Sequence, residues 1–208
     1  MKIKKIELNA KKKWCIAVGV IALLLVLVGA YILWGKGKVL SKTPTLTIEI
    51  PQKISIKNTK EVTLDVTISS MGEAIYPAAS MSIYFDSSRL EFLGIEEGNV
   101  FVRSSESGMQ KKLPEWSCNP KQCNESGKIN IMYLDTTGGK NSFSKEFLEE
   151  EDNVVLRLKF RLRGSVRKGD VCDLIFEDAV FAASNEEESL AMSRNTLKVR
   201  NSKIVVGE

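Results

Sequence analysis

Val155-Leu-Arg-Leu-Lys-Phe-Arg-Leu162 alternates apolar and basic residues through most of its length. Successive side chains of an extended chain point to opposite faces, so such a run has one apolar and one charged side, the pattern of a half-buried strand. The same period of two recurs at Thr45–Ile50, Glu61–Ile68, Met81–Phe85, Asn130–Leu134 and Leu197–Arg200. Shorter runs of strand character lie at Ile54–Lys57, Leu90–Ile95, Asn99–Arg103, Asp173–Phe176, Ala179–Ala182 and Lys203–Val206. Turn formers such as Asp86-Ser-Ser88, Glu97-Gly98 and Lys168-Gly-Asp170 separate them. This amounts to about ten to twelve short strands, the density of a β-sandwich. Between residues 45 and 206 no stretch of about 12 residues has helical period, so the crossover helices of a parallel sheet are not expected. Ser144–Glu151 is the one place where two helical turns would fit. The expected fold is all-β, an antiparallel sandwich of about nine or more strands spanning residues 45–206.

Upstream the pattern changes. Trp14–Trp34 reads WCIAVGVIALLLVLVGAYILW, 21 residues without a charge, and as a helix it spans about 31 Å against a hydrocarbon core of about 30 Å. Tryptophans at both ends and Tyr31 near the second suit the membrane interface. Six lysines precede the run and Lys36, Lys38 and Lys42 follow it, which places the N-terminus in the cytoplasm and the C-terminal domain outside. The expected organisation is a basic cytoplasmic segment 1–13, a transmembrane helix 14–34, a linker 35–44 and the sandwich 45–206. A cleaved signal peptide ending near Val28-Gly29-Ala30 is the alternative, with a shorter apolar region than is found here.

The chain of 208 residues contains no histidine. Ser-His-Asp and Cys-His catalysis and His-bearing zinc sites are thereby excluded within it, and no other catalytic constellation is present. Residues 1–42 hold nine lysines against Glu7, leaving 21 basic and 25 acidic groups beyond them. A net acidic domain outside the membrane is no partner for nucleic acid.

The longest irregular stretch, Ser104–Gly127, contains Cys118 and Cys123, which outside the cytoplasm are expected to form a disulfide. Asn124-Glu-Ser126 in the same stretch fits the glycosylation triplet. Glu186–Glu188 and Glu149–Asp152 are acidic clusters without calcium-loop spacing, read as solvated loops. Asp86 and Asp135 border turns, where aspartate serves local hydrogen bonding.

Four segments then appear in order: Ala79-Ser-Met-Ser-Ile-Tyr-Phe-Asp-Ser-Ser-Arg-Leu-Glu-Phe-Leu-Gly-Ile-Glu-Glu-Gly98, Lys128-Ile-Asn-Ile-Met-Tyr-Leu-Asp-Thr-Thr-Gly-Gly139, Val155–Leu162, and Asp178-Ala-Val-Phe-Ala-Ala-Ser184. Together they resemble the cohesin modules of cellulosomes over about residues 45–206. The resemblance implies a jelly-roll sandwich of about nine strands that binds the calcium-loaded dockerin modules of secreted glycoside hydrolases, with calcium on the partner and no cofactor in this chain. It places the partner-binding positions at Ala78, Ser80, Tyr133, Asp135 and Thr136. At Ala78, Ser80 and Thr136 the chain departs from the amide, carboxylate and glutamate of well-known members. Trp116, in the long insertion, is added as an aromatic contact candidate.

The function expected on this basis is that of a membrane-anchored module docking a secreted or surface protein of dockerin type. Two further readings are a carbohydrate-binding module that adheres to wall polysaccharide through Trp116 and Tyr133, and a structural subunit of a surface assembly.

Overall fold

The computed structural model describes residues 43–49, 54–55, 61–104, 110–149, 151–184 and 190–207. The expected transmembrane segment 14–34 lies outside the described residues, and so does the Glu186–Glu188 cluster. Among the described residues no helix is long and apolar enough to cross a membrane.

Two five-stranded sheets pack face to face. The first has the spatial order β11 (Lys198–Arg200), β1 (Thr45–Ile48), β3 (Glu61–Ile68), β9 (Val154–Leu162), β5 (Leu90–Glu97). The second has the order β2 (Ile54–Ser55), β12 (Ser202–Gly207), β10 (Val171–Ala182), β4 (Ala78–Phe85), β8 (Lys128–Leu134). A ribbon of β6 (Val102–Ser104) and β7 (Gln110–Lys112) stands apart from both. The sandwich is therefore as expected, with one difference: β1 with β11 and β12 with β2 pair in parallel. Parallel neighbours need a long crossover, and most of the domain lies between the members of each pair.

Alternation sets the layers. Val62, Leu64, Val66 and Ile68 of β3 and Leu156, Leu158 and Phe160 of β9 are buried. So are Met81, Ile83 and Phe85 of β4, while the residues between them on each strand face outward. At the centre Phe85, Phe92 and Phe160 pack with ring centroids 5.5 to 6.3 Å apart, in the tilted contacts that aromatic quadrupoles favour. The segments Asp173–Phe176 and Ala179–Ala182 belong to one strand, β10. A bulge between Phe176 and Asp178 inserts Glu177 and reverses the phase, so the sequence reads as two strands.

The long insertion contains what periodicity of this length does not reveal, a seven-residue helix α1 (Pro120–Ser126). Its signals are local: the Asn119 side chain accepts from the Gln122 N–H, Pro120 occupies the first turn, and Gly127 ends the helix at φ 70°, in the left-handed region. In contrast, the helix expected at Ser144–Glu151 shrinks to a single 3-10 turn at Lys145–Phe147. Helix α1 lies against the outer edge of β5. There the Asn124 amide acts as a strand partner, donating from Nδ2 to the Phe92 carbonyl and accepting from the Phe92 N–H, each at 2.8 Å. Nδ2 also donates to the Pro120 carbonyl at 2.8 Å. Both amide hydrogens are thus engaged, and a glycan on Asn124 would break this arrangement.

Removing one side of a buried hydrogen bond strands its partner at about 1 to 3 kcal/mol. Asn124→Ala orphans both backbone groups of Phe92, and a loss of about 2 to 4 kcal/mol in urea unfolding is expected. A loss below about 0.5 kcal/mol, typical of a surface substitution, would show that the edge is not held there.

Candidate functional site

The sandwich has two broad outer faces of contrasting chemistry. On the first sheet, cross-strand ion pairs cover β3, β9 and β5. Arg161 bonds Glu61 at 2.8 Å and Glu91 at 3.3 Å, Arg157 bonds Asp65 at 3.0 Å, and Lys159 bonds Glu96 at 2.8 Å. The hydrogen bond from Arg161 draws Glu61 below the usual carboxylate range, and the hydrogen bond to Glu96 raises Lys159. Exposed pairs of this kind add little stability. They do leave the face hydrated and its charges already matched.

The second sheet presents a different face. Of the large apolar side chains left exposed among the described residues, Tyr84, Met132, Leu134, Val171 and Ile175 lie here, with Ile75 and Val199 elsewhere. Strand register arranges them in rows. Ala182, Ala78 and Leu134 form one row and Val180, Ser80 and Met132 the next, followed by a polar row of Asp178, Ser82 and Asn130. Ile175 and Tyr84 then resume the apolar surface, beside Lys128. Leu134 and Met132 are 59% and 54% exposed, which for residues of this type marks an interaction surface when they are contiguous. An open groove of about 510 Å³ crosses the middle, lined by Ser80, Ser82, Ser117, Asn130, Met132 and Asp178 among others. Its outer wall is the segment before α1, where Ser117 exchanges backbone hydrogen bonds with Met132 at 2.8 and 3.0 Å.

The positions singled out from sequence divide. Ala78 and Ser80 lie on this outer face, Ser80 exposed, and Thr136 is exposed just beyond Leu134. Tyr133 does not face outward. It is 4% exposed, its hydroxyl donates to the Asn141 carbonyl at 2.7 Å, and its ring packs at 5.0 Å from Phe143. Trp116 is likewise packed inward, 5.7 Å from both Tyr133 and Phe143, in a stack that continues through Phe181 to Tyr76. The alternation of β8 explains the correction: Ile129, Ile131 and Tyr133 share the inner phase, leaving Met132 and Leu134 outside. Those two were missed, although a strand apolar in both phases is a signal that both of its faces meet something.

Asp135 has a structural task. Its carboxylate accepts from the Thr137 N–H at 2.8 Å, the Thr137 hydroxyl at 2.5 Å and the Asn141 N–H at 3.1 Å. Burial works to raise its pKa, but these bonds, led by the Thr137 hydroxyl, outweigh it and hold the group below the usual range. Asp86 staples its own turn through the Ser88 hydroxyl at 2.6 Å. The two aspartates follow opposite ends of antiparallel β4 and β8, whose register runs from Ala78↔Leu134 to Tyr84↔Lys128, about 20 Å. They are no acid–base pair.

The expected disulfide is also corrected: Cys118 and Cys123 are free thiols in this structure. The intervening residues are used to cap and start α1, which directs Cys123 into the core while Cys118 stays ahead of the cap. Burial, then the neighbouring Cys123, pushes the Cys118 thiol up.

The Cohesin domain family model matches residues 46–199. Among solved structures, the chain resembles the sixth cohesin of scaffoldin B from Acetivibrio cellulolyticus, in complex with a mutant Cel5 dockerin. The identity is 18% and the TM-score 0.56, covering 79% of this chain and 99% of that one. It also resembles the OlpA cohesin of Clostridium thermocellum in complex with Doc918, at 17% identity and a TM-score of 0.55, with the same coverages. At these identities the structures speak for the fold alone. No curated protein matches.

Burial, reinforced by the nearby Asp135 charge, pushes the Tyr133 phenol up to about 12. An unfolded tyrosine ionises near 10, so the folded state retains this proton longer. The associated stability is complete below about pH 10 and lost as pH rises toward about 12. Urea unfolding at pH 9 and 11 should show this decline in the native protein and a shallower one in Tyr133→Phe; identical slopes would place the phenol in solvent.

Proposed function

The chain belongs to the cohesin domain family, and from that membership we propose a binding module that docks a calcium-loaded, dockerin-type protein on the outer face of β10, β4 and β8. The observation that carries this reading is the contrast between the two outer faces. One is covered by matched ion pairs, and the other carries exposed apolar residues on both sides of a polar row, Met132 and Leu134 on one side and Tyr84 and Ile175 on the other. Association gains from an apolar patch rimmed by polar groups, whereas a face of already paired charges must be desolvated without new partners. Ser80 and Ser82 in the groove supply hydroxyls between the apolar rows, and Thr136 supplies one at the rim. The calcium is assigned to the partner, and the chain needs no cofactor of its own.

The location is read from the sequence. The uncharged Trp14–Trp34 run, preceded by six lysines, supports a single-pass anchor with its N-terminus in the cytoplasm and the cohesin module outside. Such a module would retain dockerin-bearing proteins at the cell surface. A polysaccharide reading relied on Trp116 and Tyr133. With both rings packed inward, no observation favours it over protein docking.

The test uses the full-length protein in detergent micelles and a panel of calcium-loaded dockerin modules. At least one module should bind, and a chelator should release it. Met132→Arg with Leu134→Arg should weaken that binding at least a hundredfold, Ser80→Arg about tenfold, and Thr63→Arg on the opposite face not at all. Loss of a hundredfold corresponds to about 2.7 kcal/mol, the weight of an interface hot spot. Binding by no module, or unchanged binding by the double arginine variant, would overturn the proposal.

A further inference from the structure

Sulfur is the readily oxidised element of protein side chains, and this fold separates its sulfur atoms by their access to water. Of the methionines among the described residues, Met71, Met81 and Met192 are buried, and the Met192 thioether accepts the Gly72 N–H at 3.2 Å. Met132 is more than half exposed. Its backbone is fixed by the two bonds to Ser117, and the phase of β8 turns its side chain outward, beside Ser80 and away from the core.

The thiols compete poorly with it. Cys123 and Cys172 are buried. Cys118 lines the same groove as Met132 and is partly exposed, yet burial and then the neighbouring Cys123 push its thiol up. A cysteine attacks an oxidant as the thiolate, so Cys118 is held in its unreactive form. A thioether has no proton to lose. Its lone pair is available at any pH, and access to solvent decides how fast it reacts.

The reaction is small and local. One oxygen of a peroxide passes to the sulfur: the S–O bond forms as the O–O bond breaks, sulfur gives up two electrons, and water leaves. A flexible apolar side chain thereby becomes a polar one with an oxygen acceptor at its end. Met132 shares a row with Val180 and Ser80, next to the row of Ala182, Ala78 and Leu134. An acceptor placed there must shed its water when a partner covers the row, which is unfavourable unless the partner brings a donor to the same spot.

We infer that Met132 is an oxidative modification site: a peroxide converts its thioether to the sulfoxide, and the added oxygen releases a partner docked on the face of β10, β4 and β8. The inference rests on the docking reading of that face and adds a means of switching it off. A dithiol reductant acting through a methionine sulfoxide reductase restores the thioether, the oxygen leaving as water while the two thiols close to a disulfide.

The experiment treats the full-length protein in micelles with hydrogen peroxide, removes the peroxide, and maps peptides for the gain of one oxygen. Met132 should be oxidised before Met71, Met81 and Met192, with the thermal melt unchanged because no core contact is lost. A calcium-loaded dockerin module that binds the untreated protein should bind the oxidised one about tenfold more weakly, equivalent to about 1.4 kcal/mol. The reductase with dithiothreitol should restore the affinity. In Met132→Leu, whatever its starting affinity, peroxide should cause no further change, which separates Met132 from every other methionine. Oxidation of the buried methionines ahead of Met132, unchanged affinity once Met132 carries its oxygen, or an equal loss in Met132→Leu would overturn the inference. If affinity is unchanged by oxidation while Met132→Arg with Leu134→Arg still disrupts binding, docking stands and the switch falls. Binding by no dockerin module removes both.

Discussion

Phe85, Phe92 and Phe160 meet between two sheets, and the need to bury alternate residues of every strand around them shapes the rest of the molecule. Once one side of each strand is committed to the core, the other is committed to an outer face. A sandwich of this size then has two such faces and a small number of edges on which anything else can happen. The bulge in β10 shows how strictly this holds. One additional residue, Glu177, is accommodated by turning it outward, so that Phe176 and Ala179 both remain inside.

Edges are the second consequence. An unpaired strand border is a template for unwanted pairing, and this chain covers two borders with one insertion. The segment Ser117–Ser126 supplies a backbone bridge to β8 and an amide bridge to β5, with α1 between them. The insertion that reads as a long irregular loop is thereby explained largely by closure. Its tryptophan is half-buried, stacked with Tyr133 and Phe143 at the margin of the core.

Function is then left to the faces. Ala78, Ser80 and Thr136 stand where the family resemblance leads one to expect groups with more hydrogen-bonding capacity, and Met132 and Leu134 stand between and beside them fully outward. Complete burial of a leucine or methionine side chain contributes about 1.5 to 3 kcal/mol, against about 1 kcal/mol net for a typical hydrogen bond. Two such residues outweigh the loss of one or two polar contacts. Under the proposed docking, a cohesin with this face gains its affinity from apolar contact, and the few polar groups left there serve to discriminate.

Fold class was legible in the sequence because alternation is a local property: Val155–Leu162 and Glu61–Ile68 declare their buried and exposed sides residue by residue. The uncharged run from Trp14 to Trp34 and the absence of histidine are equally direct readings. The family resemblance singled out Ala78, Ser80 and Thr136 through motif order, and the structure shows Ala78 and Ser80 on the outer face with Thr136 exposed at its end. Tyr133, Trp116, Cys123 and Asn124 were not legible in this way, since each has a side chain whose role depends on what another segment brings to it. Tyr133 was turned inward by the phase of β8, Cys123 by a helix too short to show a period, and Asn124 was recruited by an edge 32 residues away. The chain alone determined which residues must avoid water; which of the two outer faces was left with unmatched apolar surface was decided only when β4, β8 and β10 came into register.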